Sequence, residues 1–378
     1  MLNFSRLRLA LSVVAFVFST GFFMSDAHSQ NLLSPEVHAD GRVTFRLQAP
    51  MAQVVNVSLD GKKFPLMKNE QGVWEGTSEK LDPQIYDYAF DVDGTTMIDP
   101  SNRWVKKWLT LGCMVEIPGT PPLVTEFTDL PHGSVHRMIY PSTSVGHSRP
   151  VVVYTPPGYE AAQEKTYPLV LLLHGYGDDE TAWTEVGRAH LIADNLIAAG
   201  KIEPVVIVMP YGHPVPITLP ERTSDYFHRN NDLYEKDLTK DLLPFVENHF
   251  RVRRDAPGRS IVGLSMGGGH AIDTGLKNVH LFSSIGAFSA ATPELNTNDL
   301  LKLYPSLTGE KPAANGLKNF WIPIGTTDFL LERNDKFVEQ LQKAGVTHAY
   351  KKTDGGHVWK LWRDYLPQFL EMAAGRSR

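Results

Sequence analysis

The stretch 259–271 constrains this chain more than any other. A short apolar, β-branched run, Arg259-Ser260-Ile261-Val262, meets Gly263-Leu264-Ser265-Met266-Gly267 and passes into the helix-like Gly268-Gly269-His270-Ala271. A serine bracketed by glycines at a strand-to-helix junction requires a tight turn. Side chains on either side of it would clash, and the turn lifts the serine Oγ clear of the sheet edge. In a chain with 30 glycines the bare G-x-S-x-G pattern can arise by chance, so its weight comes from the strand before it and the helix after it. Such a turn needs a sheet with helices packed on it, and the rest of the chain must supply one.

The C-terminal two thirds has the required pattern. Beyond the Pro-rich linker Pro118-Gly119-Thr120-Pro121-Pro122, strand-like runs at 149–154, 169–173, 205–209, 260–263, 281–287, 320–324 and 348–352 alternate with helical segments. The run Leu169-Val170-Leu171-Leu172-Leu173 is wholly apolar, as a parallel strand covered on both faces must be. Leu238, Leu242, Leu243, Val246 and Phe250 share one helical face, and 359–373 reads as a closing helix. The expectation is an α/β domain over 119–378 with a mostly parallel sheet.

The first third reads differently. Runs at 42–47, 54–59, 73–76 and 85–92, with turns at Asp60-Gly61 and Asp93-Gly94, predict a small all-β sandwich over 30–118. Ahead of it, Arg6 and Arg8, an apolar run at 9–23 and small residues at Ser25, Ala27 and Ser29 have the form of a secretory signal peptide, 1–29. The apolar run is shorter than the ~20 residues of a membrane span, so the expected location is secreted or periplasmic, with no membrane association after cleavage. A net charge of −5 gives no basic excess for nucleic acid. The single cysteine, Cys113, allows no intramolecular disulfide and is expected as a small buried hydrophobe.

Chemistry follows from the loops at strand ends. His174-Gly175-Tyr176-Gly177-Asp178 follows the apolar strand, where an acyl-transfer site needs backbone N–H groups aimed at a developing oxyanion. The expected donors are the N–H groups of Met266 and Tyr176, with His174 as a structural residue holding the loop. If the sheet is an α/β-hydrolase, the acid and the histidine follow Ser265 in that order. Of His270, His280, His348 and His357, His357 alone sits in a loop, Asp354-Gly355-Gly356-His357, between the last strand and the last helix. Asp328, in Gly325-Thr326-Thr327-Asp328, follows the preceding strand and is preferred to Asp335 and Asp354. No metal or organic cofactor is expected; His213, His228 and Asp225 lack a ligand spacing.

These motifs carry a family resemblance. Val153-Tyr154-Thr155-Pro156-Pro157-Gly158-Tyr159, Leu172-Leu173-His174-Gly175-Tyr176-Gly177-Asp178, Gly263-Leu264-Ser265-Met266-Gly267-Gly268, Gly325-Thr326-Thr327-Asp328 and Gly355-Gly356-His357-Val358-Trp359 resemble the esterase D-like α/β-hydrolases. That family includes feruloyl, acetylxylan and enterochelin esterases, S-formylglutathione hydrolases and mycolyltransferases. The resemblance implies an α/β-hydrolase fold and a triad at Ser265, Asp328 and His357. The family's Asn-Asp pair stands here as Thr327-Asp328. Upstream, Val73-Trp74-Glu75, the segment Tyr86-Asp87-Tyr88-Ala89-Phe90-Asp91-Val92-Asp93-Gly94 and Asp99-Pro100-Ser101-Asn102 resemble immunoglobulin-like modules related to glycogen-binding domains. That second likeness suggests a sugar platform at Trp74, Trp104 and Trp108, although core or interface filling is the stronger expectation for them.

The resulting expectation is a secreted serine carboxylesterase acting on feruloyl or acetyl esters of plant cell-wall polysaccharide. The alternatives are a siderophore esterase of the enterochelin type and a non-catalytic secreted glycan-binding protein. Segment 211–231 is expected as a lid-like loop, and Tyr176, Tyr211, Tyr226 and Phe227 as an aromatic acyl pocket. The β-module is expected to bind or position polymer and to be dispensable for small esters.

Overall fold

A computed structural model describes residues 32–109, 111–217, 223, 225–294 and 296–375, so the expected signal peptide 1–29 lies outside the described residues. Eight strands build the larger sheet: β1 (Ser134–Ser142), β2 (His147–Thr155), β3 (Leu169–Leu173), β4 (Val206–Pro210), β5 (Arg259–Leu264), β6 (Ser284–Phe288), β7 (Asn319–Gly325) and β8 (Ala349–Thr353). Their spatial order is β1-β2-β4-β3-β5-β6-β7-β8. Only β2 runs antiparallel to its neighbours; every other pair is parallel. The helices are α1 (Ala182–Glu185), α2 (Ala189–Ala198), α3 (Tyr226–Asp237), α4 (Leu243–His249), α5 (Met266–Lys277), α6 (Thr297–Leu303), α7 (Leu331–Lys343) and α8 (Trp359–Ala374).

The apolar run in β3 is buried on both sides because its alternate residues enter different cores. Leu169, Leu171 and Leu173 pack with residues of α3, α4, α5 and α7, whereas Val170 and Leu172 pack with residues of α1, α2 and α8. The chain leaves β3 toward β4 on one side and reaches β5 on the other, so a crevice opens beyond the carboxyl ends of β3 and β5. Register brings the two ends level, with Leu173 opposite Gly263.

Three local expectations change. Edge strand β1 is largely exposed and mixes Val135, Met138 and Ile139 with Ser134, His136 and Arg137, so it lacks the continuous apolar run of the strands inside the sheet. The 238–250 segment is not one helix: a π-helical turn, Leu238–Leu242, joins α3 to α4. The C-terminal part of the expected 211–231 loop is the start of α3, where Tyr226 and Asn230 are buried.

The N-terminal region forms two antiparallel sheets around one core. Glu36–Val37, Val43–Gln48, Val73–Thr77 and Met67–Lys68 make the first. The second has Lys62–Pro65, Val55–Leu59, Gln84–Val92, Gly112–Ile117 and Val105–Lys106 in that order, with Thr95–Met97 beside Gln84–Val92. Val43, Phe45 and Leu47 of the first sheet meet Val57, Phe90, Val115 and the buried Cys113 of the second.

The β-region is not a loosely tethered body. Ile85 and Met114 are buried in the same apolar cluster as Trp183, Trp359 and Trp362 of the α/β region. The buried Arg363 donates from Nη2 to the Ile85 carbonyl (2.8 Å) and from Nη1 to the Val186 carbonyl (3.1 Å). The segment that follows the Pro-rich linker is pinned as well, since Asn195 Nδ2 of α2 donates to the carbonyls of Val124 (2.8 Å) and Glu126 (2.9 Å).

Candidate active site

At the β5–α5 junction Ser265 adopts φ 53° and ψ −117°, a conformation unusual for a residue with a side chain and one that only a tightly packed surrounding holds. The flanking glycines are required by close approach. A Cβ on Gly263 would stand 2.4 Å from the Gly267 carbonyl, and one on Gly267 2.5 Å from the His174 oxygen. Ser265 is thereby fixed at the N-terminus of α5. The Met266 N–H lies in the first helical turn, where amides have no acceptor within the helix and face the positive end of the helix dipole.

His357 and Asp328 arrive from the next loops along the sheet. Gly325 at the end of β7 pairs with Thr353 at the end of β8, and the Thr327 N–H donates to the Gly355 carbonyl at 3.0 Å, which interlocks the two loops. His357 Nε2 stands 3.0 Å from Ser265 Oγ, and Nδ1 stands 2.9 Å from Asp328 Oδ2. A carboxylate can only accept, so Nδ1 carries the proton and Nε2 presents its lone pair to the serine hydroxyl. Burial works against ionisation of Asp328. The hydrogen bond and charge of His357 and the Leu330 N–H (2.8 Å) outweigh it and hold the carboxyl below the usual range. A serine hydroxyl placed this way can pass its proton to His357 as it attacks a carbonyl carbon.

The other histidines and acids lie elsewhere. His270 is buried, stacks on Tyr234 and faces Asn230, and its pKa is pushed down to about 3 by burial. His348 bonds the Val346 carbonyl, and Asp335 is engaged by Tyr350 and Lys352 on the outer side of the sheet edge. His174 accepts the Gly212 N–H at Nε2 (2.7 Å), which leaves Nδ1 to donate to the Gly175 carbonyl (2.8 Å). Burial depresses its pKa to about 4, so it is neutral and ties the loop after β3 to the loop after β4. His213 accepts the Gly177 N–H (3.4 Å) and packs on Tyr176, while the exposed His228 pairs with Asp232. Among the described residues no group of His, Cys, Asp and Glu has the arrangement of a metal site.

The loop 174–178 passes directly beside the serine. A Cβ on Gly175 would lie 2.6 Å from Leu264 Cδ1 and 3.5 Å from Ser265 Cβ, so only glycine fits there. Gly177 has a positive φ of 86° and lies under Trp108, whose Nε1 donates to the Tyr176 carbonyl at 2.7 Å.

Ser265 and His357 open into a cavity of about 400 Å³ whose walls come from both regions of the chain. The α/β region supplies Tyr176, Asp178, Phe329, Val358, Trp359 and Trp362, and the β-region supplies Ile85, Tyr86, Asp87, Lys106 and Trp108. Phe329 lies 4.5 Å from the His357 ring and Trp362 meets that ring edge-on at 4.9 Å. Neither Phe329 nor Trp362 stands in a motif from which a role at the site could be read. The β-region residues carried no local signal either, because only long-range packing brings them to Ser265.

One sequence expectation is corrected here, the aromatic pocket, and the stronger expectation for the tryptophans, core or interface filling, holds for Trp74 and Trp104. Tyr176 alone of the four proposed pocket aromatics lines this cavity. Tyr226 is buried and Phe227 packs on Tyr176, while Tyr211 packs against His174 and His213. The three tryptophans form no common platform. Trp74 is in the sandwich core, Trp104 lies at the contact between regions under Arg188 and donates to the Glu185 carbonyl, and Trp108 borders the cavity.

Comparison with known proteins agrees with this geometry. Residues 142–372, more than half of the chain, match the family model described as "Putative esterase". An endo-1,4-beta-xylanase/feruloyl esterase of Xylanibacter ruminicola is 29% identical over 356 residues, which span 89% of this chain and 45% of that protein. The chain spans about half the length of the first curated relatives it matches. A solved ferulic acid esterase superposes with TM-score 0.55 at 29% identity, covering 65% of this chain and 98% of that one. The enterobactin esterase of Shigella flexneri superposes with TM-score 0.65 at 19% identity over 93% of this chain and 98% of that one; this likeness is one of fold, and it extends over the β-region as well.

Proposed function

This chain belongs to the esterase family, and from that membership we propose that it is a serine carboxylic ester hydrolase in which Ser265, His357 and Asp328 form the catalytic triad. The observation that carries the reading is the continuous hydrogen-bonded line from Asp328 through His357 to a serine held at a strained strand-to-helix turn.

Ser265 Oγ attacks the ester carbonyl while His357 Nε2 takes its proton, and Asp328 keeps the imidazole oriented and stabilises its positive charge. The Met266 and Tyr176 N–H groups receive the oxyanion, aided by the N-terminus of α5. Collapse expels the alcohol, protonated by His357. A water molecule, deprotonated by the same nitrogen, then hydrolyses the acyl-enzyme and returns Ser265 to its starting state.

The substrate we infer is a feruloyl or acetyl ester on plant cell-wall polysaccharide, handled outside the cytoplasm. Support comes from the relative named as a xylanase/feruloyl esterase, which matches across both regions, and from the ferulic acid esterase structure. The organisation this implies is a signal peptide at 1–29, an immunoglobulin-like β-module at 30–118 and an esterase domain at 119–378. Whole-length likeness to an enterobactin esterase favours a second reading, hydrolysis of a siderophore triester. The deciding measurement is kcat/KM on methyl ferulate, an acetylated xylan oligomer and a cyclic triester siderophore. A preference for the triester by more than about tenfold, or ~1.4 kcal/mol of transition-state discrimination, overturns the glycan-ester reading.

A further inference from the structure

The cavity beside Ser265 has one polar corner that the ester chemistry does not use. Asp178 is buried, at 7% exposure, and lines the cavity. Its Oδ2 lies beside Gly175, whose backbone favours the ionised carboxyl, and its Oδ1 has no hydrogen-bond partner. A Cβ on Gly175 would stand 3.4 Å from Asp178 Oδ2 and 3.5 Å from Ser265 Cβ, so the carboxyl sits one side-chain width from the serine. Asp87 and Lys106 of the β-region line the same cavity and are ion-paired with each other.

A buried polar atom left without a partner costs stability, so a carboxyl with one orphan oxygen, on a residue that lines the cavity next to the reacting serine, calls for a ligand donor. Burial also pushes the Asp178 carboxyl up to about 7, against the attraction of Lys106. The surrounding charges select the kind of donor. Lys106, Lys360 and Arg363 around the cavity oppose a cationic amine, and Asp60, Asp87 and Asp178 oppose an anion. A neutral hydroxyl meets neither penalty. The remaining walls, Ile85, Trp108, Trp359 and Trp362, suit the flat apolar faces of a ring that carries such a hydroxyl.

Resting on the esterase reading, we propose that Asp178, together with Asp87 and Lys106 of the β-region, forms a specificity subsite that binds a ring hydroxyl of the ester substrate. The hydroxyl is either on the acyl side, as in a phenolic acid, or on the alcohol side, as in a sugar.

The test uses the full chain as wild type, Asp178→Leu and Asp178→Asn, each shown to be folded by its thermal transition. Three readouts are compared. The acyl pair is methyl 4-hydroxycinnamate against methyl cinnamate, the alcohol pair is an arabinosyl cinnamate against methyl cinnamate, and 4-nitrophenyl acetate reports ester hydrolysis itself. The wild type should prefer the hydroxylated member of one pair by about tenfold in kcat/KM. Asp178→Leu should bring that ratio below about twofold, and Asp178→Asn, which keeps one acceptor oxygen, should retain part of it. A purely structural role would lower both members of a pair alike and leave the ratio in place. Whichever pair loses its ratio identifies the side of the ester. Turnover with ratios unchanged in both pairs, or no wild-type preference in either, overturns the subsite alone. No turnover of any ester, 4-nitrophenyl acetate included, overturns the esterase reading and the subsite with it.

Discussion

The elbow around Ser265 and the cavity wall opposite it are built from different kinds of information. At the elbow, every requirement is local: a tight turn, a positive φ at Ser265 and close approach at Gly263 and Gly267 each force a residue type at a fixed spacing. On the wall, Ile85, Asp87, Lys106 and Trp108 belong to a sandwich whose strands serve its own core, and they reach the site only because that sandwich docks on α8 and the 175–181 loop. Chemistry therefore leaves a motif in the chain, whereas the shape of the cavity leaves none.

The largest effect should come from the elbow side. Ser265→Ala or His357→Ala is expected to lower kcat on any accepted ester by at least about 10⁴-fold without loss of folding, because triad members act as a unit. Retention of a tenth of the wild-type rate in either variant would show that the motif had been misread.

On the wall side, Ile85→Ala tests whether the β-region and the α/β region are one body. Ile85 is 3% exposed and packs into the cluster that holds Trp183 and Trp362. Truncating it should cost about 2–4 kcal/mol and lower the midpoint of a single unfolding transition. Two separate transitions, with only the weaker one moved, would show that the two regions unfold as separate bodies.

What could be read from the sequence follows the same division. The α/β sheet, its order of chemical groups and the three residues of the hydrogen-bonded line were legible because β3 had to be apolar on both faces and because Asp328 and His357 had to follow successive strands. Edge strand β1 was not, since its exposed positions include Val135 and Ile139 while His136 and Met138 lie half-buried between them, so neither a continuous apolar run nor an apolar-in, polar-out alternation marks it. The aromatic pocket was misplaced for a related reason. Tyr211 packs on His174 and His213, and Tyr226 and Phe227 pack on Tyr176 from the first turn of α3, a helix start inside a segment that reads as loop, so no helical period points to where their side chains go. Cys113, by contrast, sits in an apolar run and is buried as such a run requires.

Asp178 offers a test of opposite sign. Its folded pKa of about 7 is above the reference value of about 3.9, so the folded state holds the proton more tightly than the unfolded one. Wild-type stability is then progressively lost as pH rises from about 4 to about 7, and the deficit is constant above that. Asp178→Asn cannot ionise and should be more stable than wild type at pH 8, by at least about 1 kcal/mol, with the difference vanishing near pH 4. Urea unfolding at the two pH values measures it. Equal stability at pH 8 would mean that water or a protein donor already satisfies the carboxylate.

The smallest effect is the one that joins the two regions most directly. Trp108 of the β-region donates its Nε1–H to the Tyr176 carbonyl at 2.7 Å, and the N–H of that same residue is the second proposed oxyanion donor. Trp108→Phe keeps an aromatic ring over Gly177 and removes only the donor, so the loop loses one tether while its packing survives. A partly exposed hydrogen bond of this kind is worth about 0.5–1 kcal/mol, and Trp108 is 45% exposed. If the tether positions the Tyr176 amide for the transition state, that energy should appear as a fall of about two- to fivefold in kcat on 4-nitrophenyl acetate with KM nearly unchanged. If Trp108 is only a wall, kcat on so small an ester will stay the same and KM will rise for bulky aromatic esters. The split between the two constants therefore decides whether the β-region only shapes the cavity or also holds part of the machinery in place.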